Sequence, residues 1–335
     1  MLLTKSAPAS AFATAPLVTI VLPVYNGARY LREAIDSILG QTFCDFELIV
    51  INDGSRDDSS VIAQQYDDPR IRFYTQDNIG LAATLNRGIG LARGRYLARQ
   101  DQDDISKPDR LERQVRFLEQ HPEYGMVGTR AAIWVEGEAS PIEFLHPCEN
   151  EGLRFRLLFN NPFVHSSMMI RMEVFAAIGT YCTDKSRQPP EDYELWSRVT
   201  RRFKVGNLPE VLHVYRETGS SMSRTGINPF LEKVVRISSE NLRHTLGDTV
   251  SQQNVGNLAA LYNGAFELVQ PPVRPVALGG VLLRALVKVG GPRTLALLWR
   301  EGGRSLAKLY GRYFLYLSFR VKAVRTSGVH QEGGK

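Results

Sequence analysis

Residues 94–104 read GRYLARQDQDD, a short apolar strand that leads directly into three carboxylates. Its apolar half can be buried, whereas Asp101, Asp103 and Asp104 cannot be buried as charges unless a positive group neutralises them. Carboxylate oxygens are hard ligands of the kind that magnesium and manganese prefer. The stretch therefore predicts a divalent-cation site at the end of a strand. The alternative is a solvated acidic turn in which Asp104 or Ser106 caps a following helix that has Pro108 in its first turn.

The residues before this stretch alternate between two patterns. Apolar runs rich in β-branched residues alternate with segments in which apolar residues recur every three or four positions. This alternation predicts an α/β fold, with a Rossmann-like, mostly parallel sheet and helices on both faces. The predicted strands are 18–25, 46–51, 71–74 and 96–98, and the predicted helices are 29–39, 58–66 and 80–92.

Polar turns follow three of the predicted strands. They are Tyr25-Asn26-Gly27, Asn52-Asp53-Gly54 and the acidic residues 101–104. In a parallel sheet, ligands bind beyond the carboxyl ends of the strands, where the connecting loops converge. We therefore expect these turns to lie together at one edge of the sheet.

The pattern changes along the rest of the chain. A helix is predicted over residues 191–200, and the chain becomes mostly helical after Pro229. Pro271-Pro272 and Gly279-Gly280 mark a break before a basic tail. The predicted parts are an N-terminal extension over 1–16, a catalytic domain over 17–228 with halves 17–104 and 105–228, and a helical C-terminal region over 229–335.

The net charge of +6 is unevenly distributed. Residues 271–335 contain twelve Lys or Arg and two Glu, a surplus of +10, so residues 1–270 sum to −4. The basic character belongs to the tail and does not indicate nucleic-acid binding by the main domain. Three cysteines without metal-binding spacing favour a reducing, cytoplasmic location. The absence of an apolar run of about 18 residues predicts that no helix spans a membrane.

Six sequence blocks occur in a specific order: VTIVLPVYNG, LREAIDSILGQTF, FELIVINDGS, DNIGLAATLNRGI, GRYLARQDQDD and EDYELWSR. Together they closely resemble the family-2 glycosyltransferases with the GT-A fold, over residues 17–223. The resemblance implies inverting transfer of a sugar from a nucleotide-diphosphate donor to an acceptor hydroxyl, with Mn²⁺ or Mg²⁺ as cofactor. The Gln-x-x-Arg-Trp motif of processive synthases is missing, so we expect single additions.

The resemblance assigns roles on the donor side. Asp103 matches the metal-binding aspartate of the family, and Asp101 matches the aspartate that reaches the ribose and shares the metal. Asp53 matches the residue that binds the nucleotide base; the alternative is a turn residue that satisfies its own backbone. Arg99 is expected either to meet a phosphate or to pair with the acids. The other predicted donor contacts are Pro23, Tyr25, Asn26, Asn78, Gly80 and Asn86.

On the acceptor side, Asp192 matches the general base, with Glu191 as the runner-up. An aspartate at a helix start is also favoured by the helix dipole alone. Trp196 is expected either to stack on an acceptor sugar or to belong to the core. His165 matches a segment that lines the acceptor side, although a lone histidine is often a structural hydrogen-bonding group. Residues 213–221 resemble the loop that closes over the donor diphosphate.

The resemblance also suggests the substrates, with UDP or dTDP donors expected rather than GDP. The expected acceptor is a glycan or a lipid-linked molecule, in the assembly of cell-surface polysaccharide, O-antigen or glycolipid. Two alternatives are a sugar nucleotidyltransferase and a catalytically inactive scaffold of the same fold at a membrane. A nucleotidyltransferase would need a glycine-rich basic loop directly after the first strand, where this chain has Pro23-Val24-Tyr25-Asn26-Gly27.

The tail contains a basic amphipathic helix. Residues 305–325 read SLAKLYGRYFLYLSFRVKAVR and contain no acid. Such a helix suits an anionic membrane surface, here over residues 293–325, and this would make the protein peripheral on the cytoplasmic membrane face. The alternative is packing on the protein's own body or on a partner subunit. The predicted apolar face consists of Leu306, Leu309, Tyr310, Tyr313, Phe314, Leu317 and Val321.

Overall fold

The computed structural model describes residues 15–136, 142–217 and 229–329. The chain forms two compact units. The first contains the described residues up to Leu145, Phe163–Tyr181 and the chain from Asn207 to residue 217; the second contains His146–Pro162, Cys182–Gly206 and the residues from 229 onwards. This division differs from the predicted boundary at residue 228. All but two residues of the predicted extension 1–16 lie outside the described residues.

The strands of the described residues form one sheet. They are β1 (Val18–Val24), β2 (Phe46–Asp53), β3 (Ile71–Gln76), β4 (Tyr96–Arg99), β5 (Ile105–Ser106), β6 (Tyr124–Val135), β7 (Ile142–Phe144), β8 (Met169–Arg171) and β9 (Lys204–Glu217). Their order is β3-β2-β1-β4-β8-β6-β9-β5, and β7 pairs with β6.

The helices divide between the units. Those of the first unit are α1 (Leu31–Leu39), α2 (Ser59–Gln64), α3 (Leu81–Leu91), α4 (Arg110–Gln120) and α6 (Met172–Ile178). Those of the second unit are α5 (Asn150–Leu157), α7 (Glu191–Val199), α8 (Leu231–Leu246), α9 (Gln252–Asn263), α10 (Pro275–Gly290), α11 (Thr294–Leu297) and α12 (Gly303–Val329).

Both faces of the first strands are covered by helices, as the sequence predicts. Ile20 and Leu22 belong to the same buried cluster as Ile35 of α1. Val21, between them, faces the other side, because a Cβ on Gly88 of α3 would lie 2.5 Å from its Cγ1 atom. Successive side chains of a strand point to opposite faces, so β1 is buried between α1 and α3.

The sheet is parallel only in its first part. Strands β1 to β4 pair in parallel, whereas β8 pairs antiparallel with β4 and β6, β7 with β6, and β5 with β9. The chain reaches β5 directly from the acidic turn, without the helical crossover that parallel strands require. The predicted helix cap at Asp104 is therefore wrong, because β5 follows it and α4 begins only at Arg110, after Asp109.

The second unit has its own apolar core. Phe155 and Phe159, which precede α6 in the chain, are buried in one cluster with Leu242 of α8, Leu258 of α9 and Leu282 of α10. Because of this packing, the second unit includes the segment from His146 to Pro162 and does not begin at residue 229. The sequence pattern could not show it, since the partners lie far apart along the chain.

Helix α12 packs on its own unit along one side. Leu309 is buried, and Leu306 and Tyr313 pack against the same core, so the alternative of packing on the protein's own body is confirmed for these residues. Phe314 and Leu317, on the same predicted face, remain 67% and 40% exposed. None of the helices in the described residues is both long and apolar enough to cross a membrane.

Candidate active site

Hydrogen bonds connect the loops at the carboxyl ends of β1, β2 and β4. The Gln102 side chain accepts from the Tyr25 backbone N–H at 2.8 Å and donates to the Tyr25 carbonyl at 3.1 Å. Asn26 Oδ1 accepts from Arg56 N at 2.9 Å, and Asn26 N donates to Ser55 Oγ at 3.0 Å. The acidic loop therefore lies beside the first turn, as the sequence predicts.

Asp53, at the end of β2, binds the loop that follows β3 through hydrogen bonds. Its Oδ1 atom accepts from Gln76 Nε2 at 2.7 Å and from Ile79 N at 3.0 Å, and Oδ2 accepts from Gly80 N at 3.0 Å. Asp53 is 4% exposed. These bonds reach the loop after β3, not the residue's own turn, so the local-turn alternative does not describe them. The predicted contact with a nucleotide base stays a prediction.

Three of the predicted donor contacts, Tyr25, Asn26 and Asn78, are exposed at this edge. Tyr25 is 48% exposed. Gly54 adopts a φ of 76°, and a Cβ there would lie 2.8 Å from Asn78 N, so only glycine lets the two loops approach this closely. Pro23 is buried inside β1 opposite Ile51.

Asn86 and His165 meet through Tyr181. Asn86 Nδ2 donates to the Tyr181 carbonyl, and Asn86 Oδ1 accepts from Tyr181 N, both at 2.9 Å. The Tyr181 hydroxyl lies 2.8 Å from His165 Nε2. The Asn86 amide thus orders the chain around Tyr181, and its predicted donor contact stays a prediction.

Arg99 pairs with the acidic loop. It is fully buried, and its Nη2 donates to Asp101 Oδ1 at 2.8 Å while its Nε donates to His165 Nε2 at 3.2 Å. Of the two predicted alternatives, the structure therefore has the pairing with the acids. Burial and the Arg99 charge lower the pKa of His165 well below its usual value, so this ring is neutral at pH 7.

Asp103 differs from its neighbours in its surroundings. Among the described residues, no side chain lies within hydrogen-bonding or ion-pairing distance of its carboxylate. Burial raises the pKa of Asp103 to about 7, and the charges of Asp104 and Asp101 act in the same direction. A partly buried carboxylate of this kind favours a cation beside it.

The acidic loop would supply only some of the ligands of a divalent cation. The described residues contain no group of three or more His, Cys, Asp or Glu side chains arranged to hold a metal. Magnesium is commonly bound by one or two carboxylates together with substrate phosphates. The carboxylates of Asp103 and Asp101 would be these one or two protein ligands.

Asp104 is a structural residue of the first unit. It is fully buried, and it accepts hydrogen bonds from Ser166 Oγ, from His213 Nε2 at 3.1 Å and from Arg216 N at 2.9 Å. Its partners lie 62, 109 and 112 residues away along the chain. Asp104 therefore fixes the end of the acidic loop to β9 and to the turn before β8.

A buried arginine completes this network. Arg110 Nη1 donates to His213 Nδ1 at 3.2 Å and to Ser106 Oγ at 2.8 Å, and its Nη2 donates to the Arg99 carbonyl at 2.8 Å. Burial lowers the pKa of His213 well below its usual value, and Arg110 adds to this effect. A neutral His213 that accepts at Nδ1 carries its proton on Nε2, directed at Asp104.

Residues 213–217 were expected in a loop over the donor diphosphate, and this prediction is wrong. They form the end of β9, and His213 is fully buried; Ser220 and Ser221 lie outside the described residues. Sequence reasoning also missed Arg110. The signal was present, because Arg110 and Gln114 share the inner face of α4 with Leu111, and polar residues within an apolar stripe indicate a buried network.

We expect Arg110→Met to destabilise the first unit by about 3–5 kcal/mol, because it removes a fully buried cation and leaves its buried hydrogen-bond acceptors without a donor. Arg110 donates to several groups that methionine cannot satisfy. Urea denaturation followed by circular dichroism measures the change. Arg113→Met on the same helix is the matched control: Arg113 forms only surface pairs, so its midpoint should stay near wild type. Equal midpoints for the two variants would contradict the assignment.

In the second unit, Asp192 lies in the first turn of α7. Its Oδ2 accepts from Asn161 Nδ2 at 2.7 Å, and its Oδ1 accepts from Tyr193 N at 2.6 Å. The carboxylate is half-buried, whereas the runner-up Glu191 is 6% exposed. Glu194, also in this turn, pairs with Arg198 at 2.8 Å. Asp192 is thus the most accessible of the three acids of this turn.

The expectation that Trp196 stacks on an acceptor sugar is wrong for this structure. Trp196 is fully buried, so neither face of its indole ring reaches solvent. The core alternative is the one that the structure shows. Tyr193, on the same helix, is fully buried too.

The sequence matches the family described as Glycosyl transferase family 2 over residues 19–179. The putative glycosyltransferase EpsE of Bacillus subtilis is 34% identical over 227 residues, which cover 66% of this chain and 81% of the relative. The O-antigen biosynthesis glycosyltransferase WbnJ of Escherichia coli is 32% identical over 219 residues, covering 63% and 84%.

The fold resembles that of S. aureus TarS. The crystal structure of TarS residues 1–349 in complex with UDP-GlcNAc superimposes with a TM-score of 0.59, covering 91% of this chain and 92% of that TarS fragment. The sequence identity is 18%, so this likeness concerns the fold.

Proposed function

This chain belongs to glycosyltransferase family 2 and is a glycosyltransferase with a GT-A-like fold, and from that premise we propose that it adds single sugars, with inversion, from a nucleotide-diphosphate sugar to an acceptor hydroxyl. The observation that carries this is the group of hydrogen-bonded loops around Asp53, Tyr25 and the Asp103 carboxylate. TarS binds UDP-GlcNAc on a similar fold, which supports a UDP-sugar or dTDP-sugar donor.

The acidic loop would hold the cofactor. Asp103, with Asp101, is suited to bind Mn²⁺ or Mg²⁺, which when bound neutralises charge that develops on a departing diphosphate. The protein's own contribution is to keep the loop in place. Arg99 holds Asp101, and the Asp104 network anchors the next residue, so Asp103 is presented from a rigid segment.

Asp192 is proposed as the general base. The acceptor hydroxyl oxygen forms a bond to the anomeric carbon as the bond from that carbon to the diphosphate oxygen breaks, and the hydroxyl proton passes to the Asp192 carboxylate. The nucleoside diphosphate leaves with the electron pair of the broken bond. Asn161 orients the carboxylate through its hydrogen bond to Oδ2.

The relatives suggest where this reaction belongs. WbnJ is named for O-antigen biosynthesis, and we extend that role to this chain as assembly of O-antigen, cell-surface polysaccharide or glycolipid. Membership in a glycosyltransferase family argues against the nucleotidyltransferase alternative. The inactive-scaffold alternative is tested by the donor-binding and hydrolysis measurements that follow.

We expect a UDP-sugar or dTDP-sugar with manganese to raise the thermal midpoint of the protein more than a GDP-sugar does. A ligand that binds only the native state stabilises it by about 2.7 kcal/mol at a hundred times its dissociation constant. Differential scanning fluorimetry over a series of donor concentrations measures this. If no nucleotide sugar shifts the midpoint, the proposed function fails. Donor binding without any metal-dependent hydrolysis would favour the scaffold.

Contact with an anionic membrane through residues 293–325 remains a prediction. Trp299 and Leu295 are 89% and 84% exposed, in a segment with a surplus of cations. We expect Trp299→Ser combined with Phe314→Ser to reduce cosedimentation with vesicles that contain phosphatidylglycerol. Val61→Ser, at an exposed residue of α2, is the control. Unchanged sedimentation of the double variant would refute membrane contact.

A further inference from the structure

The second unit contains a pocket of about 270 Å³ that none of the predicted roles uses. This volume is close to the lower end of the range for small-molecule sites. Tyr262 of α9 forms part of its wall and stacks on Phe159, with ring centroids 3.8 Å apart. Phe159 is 1% exposed, so the aromatic wall is fixed to the core of the unit.

The pocket is positively charged. Arg156, Arg304 and Lys308 line it, together with one acid, Glu301. Arg156 Nη2 pairs with Glu301 at 3.0 Å. Arg304 and Lys308 form no ion pair with a carboxylate among the residues described, although the Lys308 ammonium lies 4.0 Å from the centre of the Tyr262 ring. Two positive charges are thus left without a counter-ion.

Lys308 lies close to two other cations, Arg312 and Arg156. Partial burial lowers the pKa of Lys308, and Arg312 and Arg156 lower it further. A dianion in the pocket would remove this repulsion, and it would match the two uncompensated charges. Arginine and lysine are the side chains that bind phosphate most commonly, the first through paired N–H groups and the second as a point charge.

The pocket adjoins the residue assigned as the base. Asn161 lines the pocket, and its Nδ2 donates to Asp192 Oδ2 at 2.7 Å. A group bound in this pocket would therefore lie beside Asn161, the residue whose side chain bonds to Asp192. In the proposed reaction, the molecule that gives its proton to Asp192 is the acceptor.

We propose that this pocket binds a phosphate group carried by the acceptor, and that the substrate class of the enzyme is a phosphate-bearing acceptor. The proposal rests on the assignment of Asp192 in the proposed function. Arg304 and Lys308 hold the phosphate, Tyr262 supplies an apolar surface for the group attached to it, and Asn161 connects this position to the base.

The test measures binding of inorganic phosphate by isothermal titration calorimetry, without donor and without divalent metal. Compared with wild type, Arg304→Gln combined with Lys308→Gln should raise the dissociation constant at least about tenfold, because it removes two charge-assisted contacts. Arg320→Gln, an exposed residue on the same helix, is the matched control and should bind as wild type does. Chloride at equal ionic strength separates specific binding from screening.

The proposal is overturned if wild type binds phosphate no better than chloride, or if the double variant and the control bind alike. Phosphate binding is measured without the donor. The phosphate pocket can therefore be refuted while nucleotide sugars still stabilise the protein. Phosphate can also bind while no nucleotide sugar does. A second arm compares a soluble sugar phosphate with a short-chain phosphatidic acid. Tighter binding of the first indicates a glycan acceptor, and tighter binding of the second indicates a lipid acceptor.

Discussion

Asp103→Asn is expected to lower metal-dependent transfer by roughly 10³-fold, because it removes the anionic ligand while keeping the shape of the side chain. Manganese binding, measured by calorimetry, should weaken in parallel. Asp103 is the carboxylate of the acidic loop to which no side chain among the described residues forms a hydrogen bond or an ion pair. Turnover of a nucleotide sugar with and without manganese measures the effect.

The same substitution should leave the metal-free fold intact or slightly more stable. Burial and the neighbouring carboxylates raise the pKa of Asp103 to about 7, so its ionised form opposes folding near neutral pH. Asparagine removes that charge. Asp109→Asn is the control, because Asp109 pairs with Arg113 at the surface and should keep wild-type turnover. Wild-type rates for Asp103→Asn would mean that the metal assignment is wrong.

Asp192→Asn should lower turnover by roughly 10²–10⁴-fold, the usual contribution of a positioned general base. Asparagine keeps the oxygen that accepts from Asn161 Nδ2, so the local structure and donor binding should change little. Steady-state kinetics with saturating donor measures the loss, and the donor-induced thermal shift verifies that binding is retained.

Two neighbouring acids make this test specific. Glu191→Gln should have a much smaller effect, because Glu191 is nearly buried whereas Asp192 is half-exposed. Glu194→Gln is the control for loss of negative charge in the first turn of α7, since Glu194 is paired with Arg198. A larger loss for Glu191→Gln than for Asp192→Asn would transfer the role of the base to Glu191.

Sequence patterns predicted the first four strands well, because the signals are local. Strands β1 and β2 are mostly apolar and are buried on both faces, as is usual for parallel strands. The periodic apolar residues of α1, such as Leu31 and Ile35, lie on its buried face. After β4 the strands pair antiparallel and the alternation stops, so the same signals no longer predicted the topology.

The sequence predicted which loops form the candidate site, but it did not predict the contacts of their individual side chains. The loops after β1, β2 and β4 meet as expected, since parallel strands bring their carboxyl ends to one edge. Arg99 had two alternatives; the folded chain shows its pairing with Asp101, and contact with a phosphate stays a prediction. Trp196 also had two alternatives, and only its burial in the folded chain excluded contact with an acceptor.

The amino-acid sequence by itself determined the family, the parallel half of the sheet and the position of the acidic loop, because these depend on residues close together along the chain. Tertiary structure alone decided which acid is structural. Asp104 accepts hydrogen bonds from groups of residues 166, 213 and 216, whereas no described side chain hydrogen-bonds to the Asp103 carboxylate. Burial and long-range pairing distinguish two adjacent aspartates that local sequence cannot separate.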